Sequence, residues 1–307
     1  MSDRPRIVVF AYSEVGYRCL RALVNSGANI KAVFTYEDSG DENIWFGSVA
    51  NLAEENRIPV FKPRGVKGPD ERELIRSLEP DIIFSFYYRD IIPSEILAIP
   101  RLGAFNMHGS LLPNYRGRAC VNWAIIHGET ETGPTLHHMT EKADEGDIVA
   151  QKTVPIAFTD TAKDVTLKIA GAAEQIITEM LRLIERGKAP RTRQDNSKAT
   201  YFGGRGPEDG LINWSDSAIE IYNLVRAVTH PLPGAFTTFK GHKLYIWWAT
   251  PVETEICSLP GTIVSVEPLL VATGKGLLRI ESWQMEGQNE EATQTLAREF
   301  VQAGDIL

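Results

Sequence analysis

Uninterrupted apolar runs alternate with helical patterns along the chain as far as Gly187. The runs RIVVFAY, IKAVFTY, IPVFK, PDIIFSFYY and LGAFNMHGS lack the every-second-residue alternation of a strand with one wet face. Such runs indicate strands that are covered on both faces, as in a parallel sheet. Helical patterns are predicted between them over 17–26, 49–56 and 70–78, and a long amphipathic helix is predicted over 161–186. The alternation predicts a doubly wound α/β domain.

The texture of the sequence changes after this long helix. Residues 188–210 are rich in glycine, proline and mixed charges, which is typical of a linker. A helical pattern over 217–227 follows, and then several short strand-like runs separated by turn residues, which predict a small β domain. The predicted organisation is therefore a first domain over 1–187, a linker over 188–210 and a C-terminal domain over 211–307.

Composition narrows the class of protein. The chain has 307 residues, a formal charge of -8 and 43% hydrophobic residues, as expected for a globular protein. No apolar run approaches the ~20 residues needed to span a bilayer, and the N-terminus lacks the pattern of a signal peptide, so we expect a cytoplasmic location without membrane insertion. Cys19, Cys120 and Cys257 are widely spaced, so we expect neither a disulfide framework nor a metal site.

Nucleotide-phosphate motifs are missing from the expected positions. The turn after the first strand reads AYSEVGYRC, with one glycine where the dinucleotide fingerprint needs three. The phosphate loop pattern G-x-x-x-x-G-K-[ST] is also absent. Open α/β sheets nevertheless bind ligands beyond the carboxyl ends of their strands, and Asn106 and His108 are predicted to lie there.

The stretch FNMHGSLLPNYRGRACVNW carries the candidate chemistry. Asn106 and His108 are two apart on an extended segment, so their side chains point to the same side. A carboxamide can donate to a developing oxyanion and an imidazole can carry a proton, which suits attack on a carbonyl. Asp144 in TEKADEGDIVAQ is a candidate to orient the imidazole. From these residues alone, a hydrogen-bonded loop and a solvated acid remain alternatives. The other histidines, at 127, 137, 138, 230 and 242, are interpreted as structural or surface residues.

The combined pattern is more specific than its parts. FNMHGSLLPNYRG followed by ADEGDIVAQ resembles the formyltransferases that use N10-formyltetrahydrofolate, and PDIIFSFYYRDII and IYNLVRAVTHPLPGAFT extend the likeness over essentially the whole chain. The resemblance implies an enzyme that transfers a formyl group without a metal. It also implies a Rossmann-like formyltransferase domain with a mostly parallel sheet, followed by a small OB-like β-barrel domain.

The same resemblance assigns residues. It makes Asn106 the oxyanion donor, His108 the proton carrier and Asp144 the group that orients His108 and raises its pKa. It implies a cis bond between Leu112 and Pro113. The residues that it places around the folate are Asp90, Ile91, Ile92, Arg118, Thr140, Glu141, Lys142, Ala143 and Asp144.

The sequence identifies the acceptor of the formyl group less closely than it identifies the donor. From Pro207 to the end, six basic residues face thirteen acidic ones, and the segment YEDSGDENIWFGS is acidic as well, which disfavours a nucleic-acid partner. The likeness is greatest to sugar-nucleotide formyltransferases that act on UDP-4-amino-4-deoxy-L-arabinose in lipid A modification and polymyxin resistance. Tyr115, Arg116 and Asn122 are the candidate acceptor contacts.

Several alternatives stay open at this point. They are another amino-sugar nucleotide as acceptor, methionyl-tRNA as acceptor, and a formyltetrahydrofolate hydrolase that uses water. The sequence also leaves open the oligomeric state, and whether the chain is a stand-alone enzyme or an isolated domain.

Overall fold

The computed structural model describes residues 4–37, 43–255, 257–288, 290–292 and 301–307. Part of the predicted acidic segment, residues 38–42, lies outside them. The elements up to Phe202 are, in chain order, β1 (Arg6–Ala11), α1 (Ser13–Asn25), β2 (Asn29–Phe34), α2 (Val49–Glu55), β3 (Val60–Phe61), α3 (Pro69–Ser77), β4 (Ile82–Phe86), α4 (Ser94–Leu97), β5 (Ala104–His108), β6 (Arg116–Gly117), α5 (Cys120–Ile126), β7 (Glu131–Thr132), β8 (Thr135–His138), β9 (Ile148–Gln151), β10 (Val154–Pro155), α6 (Ala162–Glu185), a 3-10 helix (Asn196–Lys198) and β11 (Tyr201–Phe202). The later elements are a second 3-10 helix (Pro207–Gly210), α7 (Ala218–Val228), β12 (Ala235–Phe239), β13 (His242–Val252), β14 (Ile263–Val266), β15 (Leu269–Ala272), β16 (Leu277–Met285) and β17 (Glu291–Ala292).

The chain forms two compact units. The first comprises Met1–Cys120, Glu131–Pro155 and Val165–Gly203, and the second comprises Val121–Thr130, Ile156–Asp164 and Gly204–Leu307. Two short segments that precede residue 165, Val121–Thr130 and Ile156–Asp164, thus group with the C-terminal part. The predicted boundaries at 187 and 211 stay predictions.

The first unit contains a mostly parallel sheet in the order β3-β2-β1-β4-β5-β8-β9. The pairs from β3 to β5 are parallel, whereas β5 pairs with β8, and β8 with β9, in the antiparallel sense. The side chains of β4 are buried along its whole length, which agrees with the continuous apolar run in the sequence. The predicted parallel α/β architecture is confirmed, with an antiparallel edge.

Two helix boundaries show how much local signal the sequence carries. The start of α1 was predicted at Tyr17, but the helix begins at Ser13. The prediction missed the first turn because the N-cap residue, Tyr12, makes no side-chain hydrogen bond to the helix, so the sequence carries no capping signature there. α7 starts where it was predicted, since Ser217 and Glu220 form a reciprocal capping box. Among the described residues, no helix is both long enough and apolar enough to cross a membrane.

The second unit is built around an antiparallel sheet. The pairings of its described residues follow the order β12-β13-β16-β15-β14, and β17 pairs with β16. Apolar side chains on α7, including Ile221, Tyr222 and Val225, are buried, and α7 packs on β13. A small β domain in the C-terminal part was predicted, and the structure confirms it.

Candidate active site

A cavity of about 340 Å³ lies at the carboxyl ends of β4 and β5. Its volume falls in the range of about 300 to 1,000 Å³ that is usual for small-molecule sites. The lining contains every residue that was predicted to act in catalysis or to contact folate. The lining residues are Ser85, Tyr88, Arg89, Asp90, Ile91, Ile92, Asn106, His108, Gly117, Arg118, His137, Met139, Thr140, Glu141, Lys142, Ala143 and Asp144.

Asn106, His108 and Asp144 meet at one wall of this cavity. Strand alternation puts Asn106 and His108 on the same side of β5. The Oδ1 atom of Asp144 lies 3.5 Å from Asn106 Nδ2 and 3.5 Å from His108 Nδ1. The backbone N–H of Gly117 donates to the other carboxylate oxygen at 2.9 Å. The carboxylate is therefore held from the β6 side while it faces the amide and the imidazole.

The buried imidazole of His108 is arranged to carry a positive charge. Its Nε2 lies 2.8 Å from the carbonyl oxygen of Tyr115, which can only accept, so Nε2 bears a proton. If Nδ1 were unprotonated, its lone pair would face the carboxylate of Asp144. Burial lowers the pKa of His108, but the neighbouring Cys120 and Asp144 raise it more strongly, so the net shift is upward. The imidazolium is thus the favoured form at neutral pH.

The carboxyl group of Asp144 shows the complementary shift. Burial raises its pKa, but the imidazolium of His108 and the Gly117 N–H lower it further, and the net direction is downward. The residue also has φ of 60°, a left-handed conformation that aspartate tolerates better than most side chains. Asp144 is therefore an ionised carboxylate on a backbone that the surrounding contacts must hold.

His137, which was interpreted from the sequence as a structural or surface residue, is buried and lines this cavity. The antiparallel pairing of β5 and β8 places His137 directly opposite Asn106. Its Nδ1 donates to the His138 carbonyl at 2.9 Å, so the unprotonated Nε2 accepts from Asn106 Nδ2 at 3.1 Å. This contact fixes which end of the Asn106 amide is the donor. The sequence held no local signal for it, because strand pairing is a long-range property.

The residues predicted around the folate form two neighbouring walls of the cavity. On one side, the Tyr36 hydroxyl donates to the Asp90 carboxylate at 3.1 Å and accepts from the Asp90 N–H at 3.1 Å. Ile91 is 61% exposed, whereas Ile92 is buried. On the other side, residues 140–143 are exposed and lead into the buried Asp144. Arg118 is exposed and reaches the Arg89 carbonyl at 3.4 Å.

The three candidate acceptor contacts lie outside this lining and make internal contacts. Tyr115 stacks on Phe202 with 5.1 Å between ring centroids. Arg116 is only 1% exposed. Asn122 donates from Nδ2 to the Ala227 carbonyl at 2.7 Å, within the second unit. These contacts are those of residues that stabilise the fold around the loop, and the prediction that they bind the acceptor gains no support from their positions.

The loop after β5 is fixed by buried polar side chains. The Thr135 hydroxyl donates to the Ser110 carbonyl at 2.6 Å and accepts from the Leu112 N–H at 3.1 Å. Gln151 donates to the Leu112 carbonyl at 2.9 Å. The bond between Leu112 and Pro113 is cis, as the resemblance implied. The loop is thus pinned to β8 and β9.

Close backbone packing at Gly146 holds the segment that carries Asp144. A Cβ atom at Gly146 would lie 1.7 Å from the carbonyl oxygen of His138, which is backbone and cannot move independently. Gly146→Ala is therefore expected to displace Asp144 and to lower kcat by at least about tenfold, since small misplacements of catalytic groups are costly. Steady-state kinetics together with thermal unfolding would measure both effects.

The matched control is Gly203→Ala. No atom lies within 4 Å of a Cβ at Gly203, so the substitution should leave kcat and Tm near the wild-type values. A Gly146→Ala enzyme with unchanged kcat would show that the position of this segment does not matter for turnover.

Comparison with known proteins agrees with this geometry. The model of the family described as "Formyl transferase" matches residues 6–181, and that of "Formyl transferase, C-terminal domain" matches residues 206–300. The chain belongs to the formyl transferase family, and it is an enzyme that transfers formyl groups.

Solved structures share the fold at low sequence identity. An N-formyltransferase from Helicobacter canadensis in complex with folinic acid and dTDP-3-aminofucose is 21% identical, with a TM-score of 0.71, over 89% of this chain and 98% of that chain. WlaRD, a sugar 3N-formyl transferase crystallised with dTDP and 5-N-formyl-THF, is 20% identical, with a TM-score of 0.67, over 94% of this chain and 100% of that chain.

A third match is to part of a longer protein. HypX from Aquifex aeolicus is 20% identical, with a TM-score of 0.66, and the match covers 97% of this chain but 48% of HypX. The chain therefore spans about half the length of HypX. Among the described residues, no group of three or more His, Cys, Asp or Glu side chains is arranged to hold a metal ion.

Proposed function

We propose that this enzyme transfers the formyl group of N10-formyltetrahydrofolate to the 4-amino group of UDP-4-amino-4-deoxy-L-arabinose, a reaction of lipid A modification and polymyxin resistance. The observation that carries the formyl-transfer part is the convergence of an amide, an imidazolium and a carboxylate at the wall of one cavity. The acceptor part rests on the sequence likeness described above and on the acidic C-terminal region.

The cavity suits the pterin end of a folate. Its volume of about 340 Å³ and its walls at 90–92 and 140–144, which include both polar and apolar residues, fit a flat ring system with several hydrogen-bonding groups. When bound, the folate supplies the formyl carbon that the acceptor amine attacks. Folinic acid and 5-N-formyl-THF accompany two of the related structures, which supports a reduced folate as the donor here.

The three polar side chains have distinct roles in the proposed reaction. One Asn106 N–H is held by His137, and the other, which in the structure faces Asp144 at 3.5 Å, is the one available to the formyl oxygen, on which negative charge develops in the transition state. His108, whose Nε2–H donates to the Tyr115 carbonyl and whose Nδ1 faces Asp144, supplies positive charge at the same place. Asp144 holds His108 in its protonated state and in one orientation. The acceptor amine attacks in its neutral form, because only an unprotonated nitrogen has a lone pair to offer.

A sugar nucleotide is favoured over tRNA as the acceptor. Phosphate backbones are bound through many Lys and Arg contacts, whereas the region from Pro207 onward has six basic and thirteen acidic residues. Two of the related structures are sugar N-formyltransferases or contain a dTDP-linked amino sugar. Both arguments favour a small anionic acceptor that carries an amine.

An acceptor panel tests the proposal. The enzyme is supplied with N10-formyltetrahydrofolate and, in separate reactions, with UDP-4-amino-4-deoxy-L-arabinose, dTDP-3-aminofucose, methionyl-tRNA or no acceptor. We expect rapid folate release and a formylated product by mass spectrometry with the UDP sugar, and much slower release in the other reactions.

Each other outcome has a definite meaning. Turnover with dTDP-3-aminofucose alone would show that the acceptor is an amino-sugar nucleotide other than UDP-4-amino-4-deoxy-L-arabinose. Turnover with tRNA alone would overturn the sugar-nucleotide assignment, and release of formate without an acceptor would identify a hydrolase.

A further inference from the structure

Arg116 is a buried cation whose hydrogen-bond partners, Gln194, Asn196 and Tyr201, are neutral. Its side chain is 1% exposed, and burial of a charge is costly unless hydrogen bonds replace the lost water. Its guanidinium donates to Gln194 Oε1 from Nε at 3.2 Å and from Nη2 at 2.6 Å. It also donates to Asn196 Oδ1 at 2.7 Å and to the Tyr201 hydroxyl. Within the described residues, the carboxylate recorded beside it is that of Glu145, at 3.9 Å.

These partners all come from the segment that was predicted to be a linker. The segment is anchored by parallel pairing of β11 with β6, in which Tyr201 lies opposite Arg116 and Phe202 lies opposite Gly117. The same β6 strand supplies the Gly117 N–H that donates to the Asp144 carboxylate. One short strand pair therefore supports both the buried arginine and the catalytic acid.

Gln194 connects the arginine to the Asp144 backbone. Because a guanidinium has no acceptor, Arg116 fixes Oε1 as the end of the Gln194 amide that faces it. The Nε2 end then points the other way and donates to the Asp144 carbonyl at 2.8 Å and to the Gly146 carbonyl at 2.7 Å. Gln194 is itself buried. The Gln194 amide thus links the guanidinium of Arg116 to the backbone carbonyls of Asp144 and Gly146.

A second branch reaches the residue between them. The Tyr201 hydroxyl accepts from Arg116 and donates to Glu145 Oε1 at 2.8 Å. Asp144 has a left-handed backbone conformation, which persists only where its surroundings impose it. The contacts from Gln194 and Tyr201 are among those surroundings.

We propose that Gln194 and Arg116 are positioning residues for the formyl-transfer reaction, and that they hold the Asp144 carboxylate against His108. The inference rests on the proposed function, since it takes Asp144 as the partner of the catalytic imidazole. On this proposal, residues 194–202 support the active site and do not only connect the two parts of the chain. The buried Arg116 then stabilises the active site and does not bind the acceptor.

The test uses the full-length protein with Gln194→Glu. The new carboxylate still accepts from Arg116, but its second oxygen faces the carbonyls of Asp144 and Gly146 and repels them. The matched control is Gln175→Glu, which makes the same change at an exposed glutamine whose Oε1 accepts from Lys152 at 3.2 Å. Folding of each variant is checked by thermal unfolding.

The primary readout is the NMR titration of the His108 ring, which does not depend on any acceptor. The titratable groups around this ring are Asp144 before β9, Cys120 at the start of α5, His137 on β8 and Tyr87 after β4, whose hydroxyl lies beside Cys120. Of these groups, Asp144 is the one whose backbone carbonyl accepts a hydrogen bond from Gln194. We expect Gln194→Glu to lower the pKa of His108 by at least about one unit, and kcat by about tenfold to a hundredfold. Gln175→Glu should change neither quantity.

A second variant covers the case in which Gln194→Glu does not fold. Gln194→Asn keeps the neutral amide but is one methylene shorter, so it cannot span from Arg116 to both carbonyls. It should show a smaller shift of the His108 pKa in the same direction. A His108 titration like that of the wild type in a folded Gln194 variant would overturn the positioning role. Failure of the wild-type enzyme to formylate any acceptor would instead overturn the proposed function, and the NMR result would remain valid.

Discussion

Asn106→Ala and His108→Ala are each expected to lower kcat for formyl transfer by at least about a hundredfold. In the proposed mechanism each change removes a group that meets the negative charge on the formyl oxygen, and loss of one oxyanion donor costs roughly 3 to 4 kcal/mol of transition-state stabilisation. Both side chains line the cavity at the end of β5. If these groups act on the formyl oxygen and not on the acceptor, the KM for the acceptor should change much less than kcat.

Exposed residues of the same types supply the controls. Asn51→Ala on α2 and His242→Ala at the start of β13 remove an amide and an imidazole at exposed positions. Single-turnover rates of folded variants distinguish chemistry from product release. Near-normal single-turnover rates for folded Asn106→Ala or His108→Ala would remove the basis for the assigned mechanism.

Asp144→Asn is expected to lower kcat strongly and to change its dependence on pH. The Asp144 carboxylate raises the pKa of His108, so its removal lowers that pKa and the imidazolium is lost at a lower pH. If the protonated ring is the active form, wild-type activity falls as pH rises through the raised pKa of His108. In Asp144→Asn the same fall occurs nearer the ordinary histidine pKa of about 6.5. Profiles of kcat against pH measure the displacement.

Asp147→Asn is the matched control for this prediction. Asp147 follows Asp144 closely in the chain, but its carboxylate faces Arg191 at 3.4 Å. Its removal should leave the pH profile of kcat unchanged. Superimposable profiles for the wild type and Asp144→Asn would mean that Asp144 does not govern the protonation of His108.

Much of the first unit could be predicted because its signals are local. Strands such as β1 and β4 are continuous apolar runs, and strand alternation alone put Asn106 and His108 on one side of β5. Where a boundary was missed, as at the start of α1, the structure uses a cap without a side-chain hydrogen bond. Local patterns therefore located the elements and one pair of side chains that line the cavity.

The remainder of the site depends on contacts between distant parts of the chain. His137 reaches Asn106 through the reversal of strand direction between β5 and β8, and neither sequence segment records that pairing. Gln194 meets Arg116 across 78 positions, and its surroundings in the sequence are those of a flexible connector. The sequence alone does not show whether an arginine is exposed or buried. Only the structure, in which Arg116 is buried and hydrogen-bonded to Gln194, distinguishes a residue that binds the acceptor from one that stabilises the fold.

The pairing of β11 with β6 sets a rule for building hybrid enzymes. A hybrid that fuses the catalytic half of this chain to the C-terminal half of another family member needs its junction after Phe202. A junction at Gly187, shortly after α6, would import a foreign partner for the buried guanidinium of Arg116, and on the proposed role of Gln194 the exchanged half would then alter turnover by displacing Asp144.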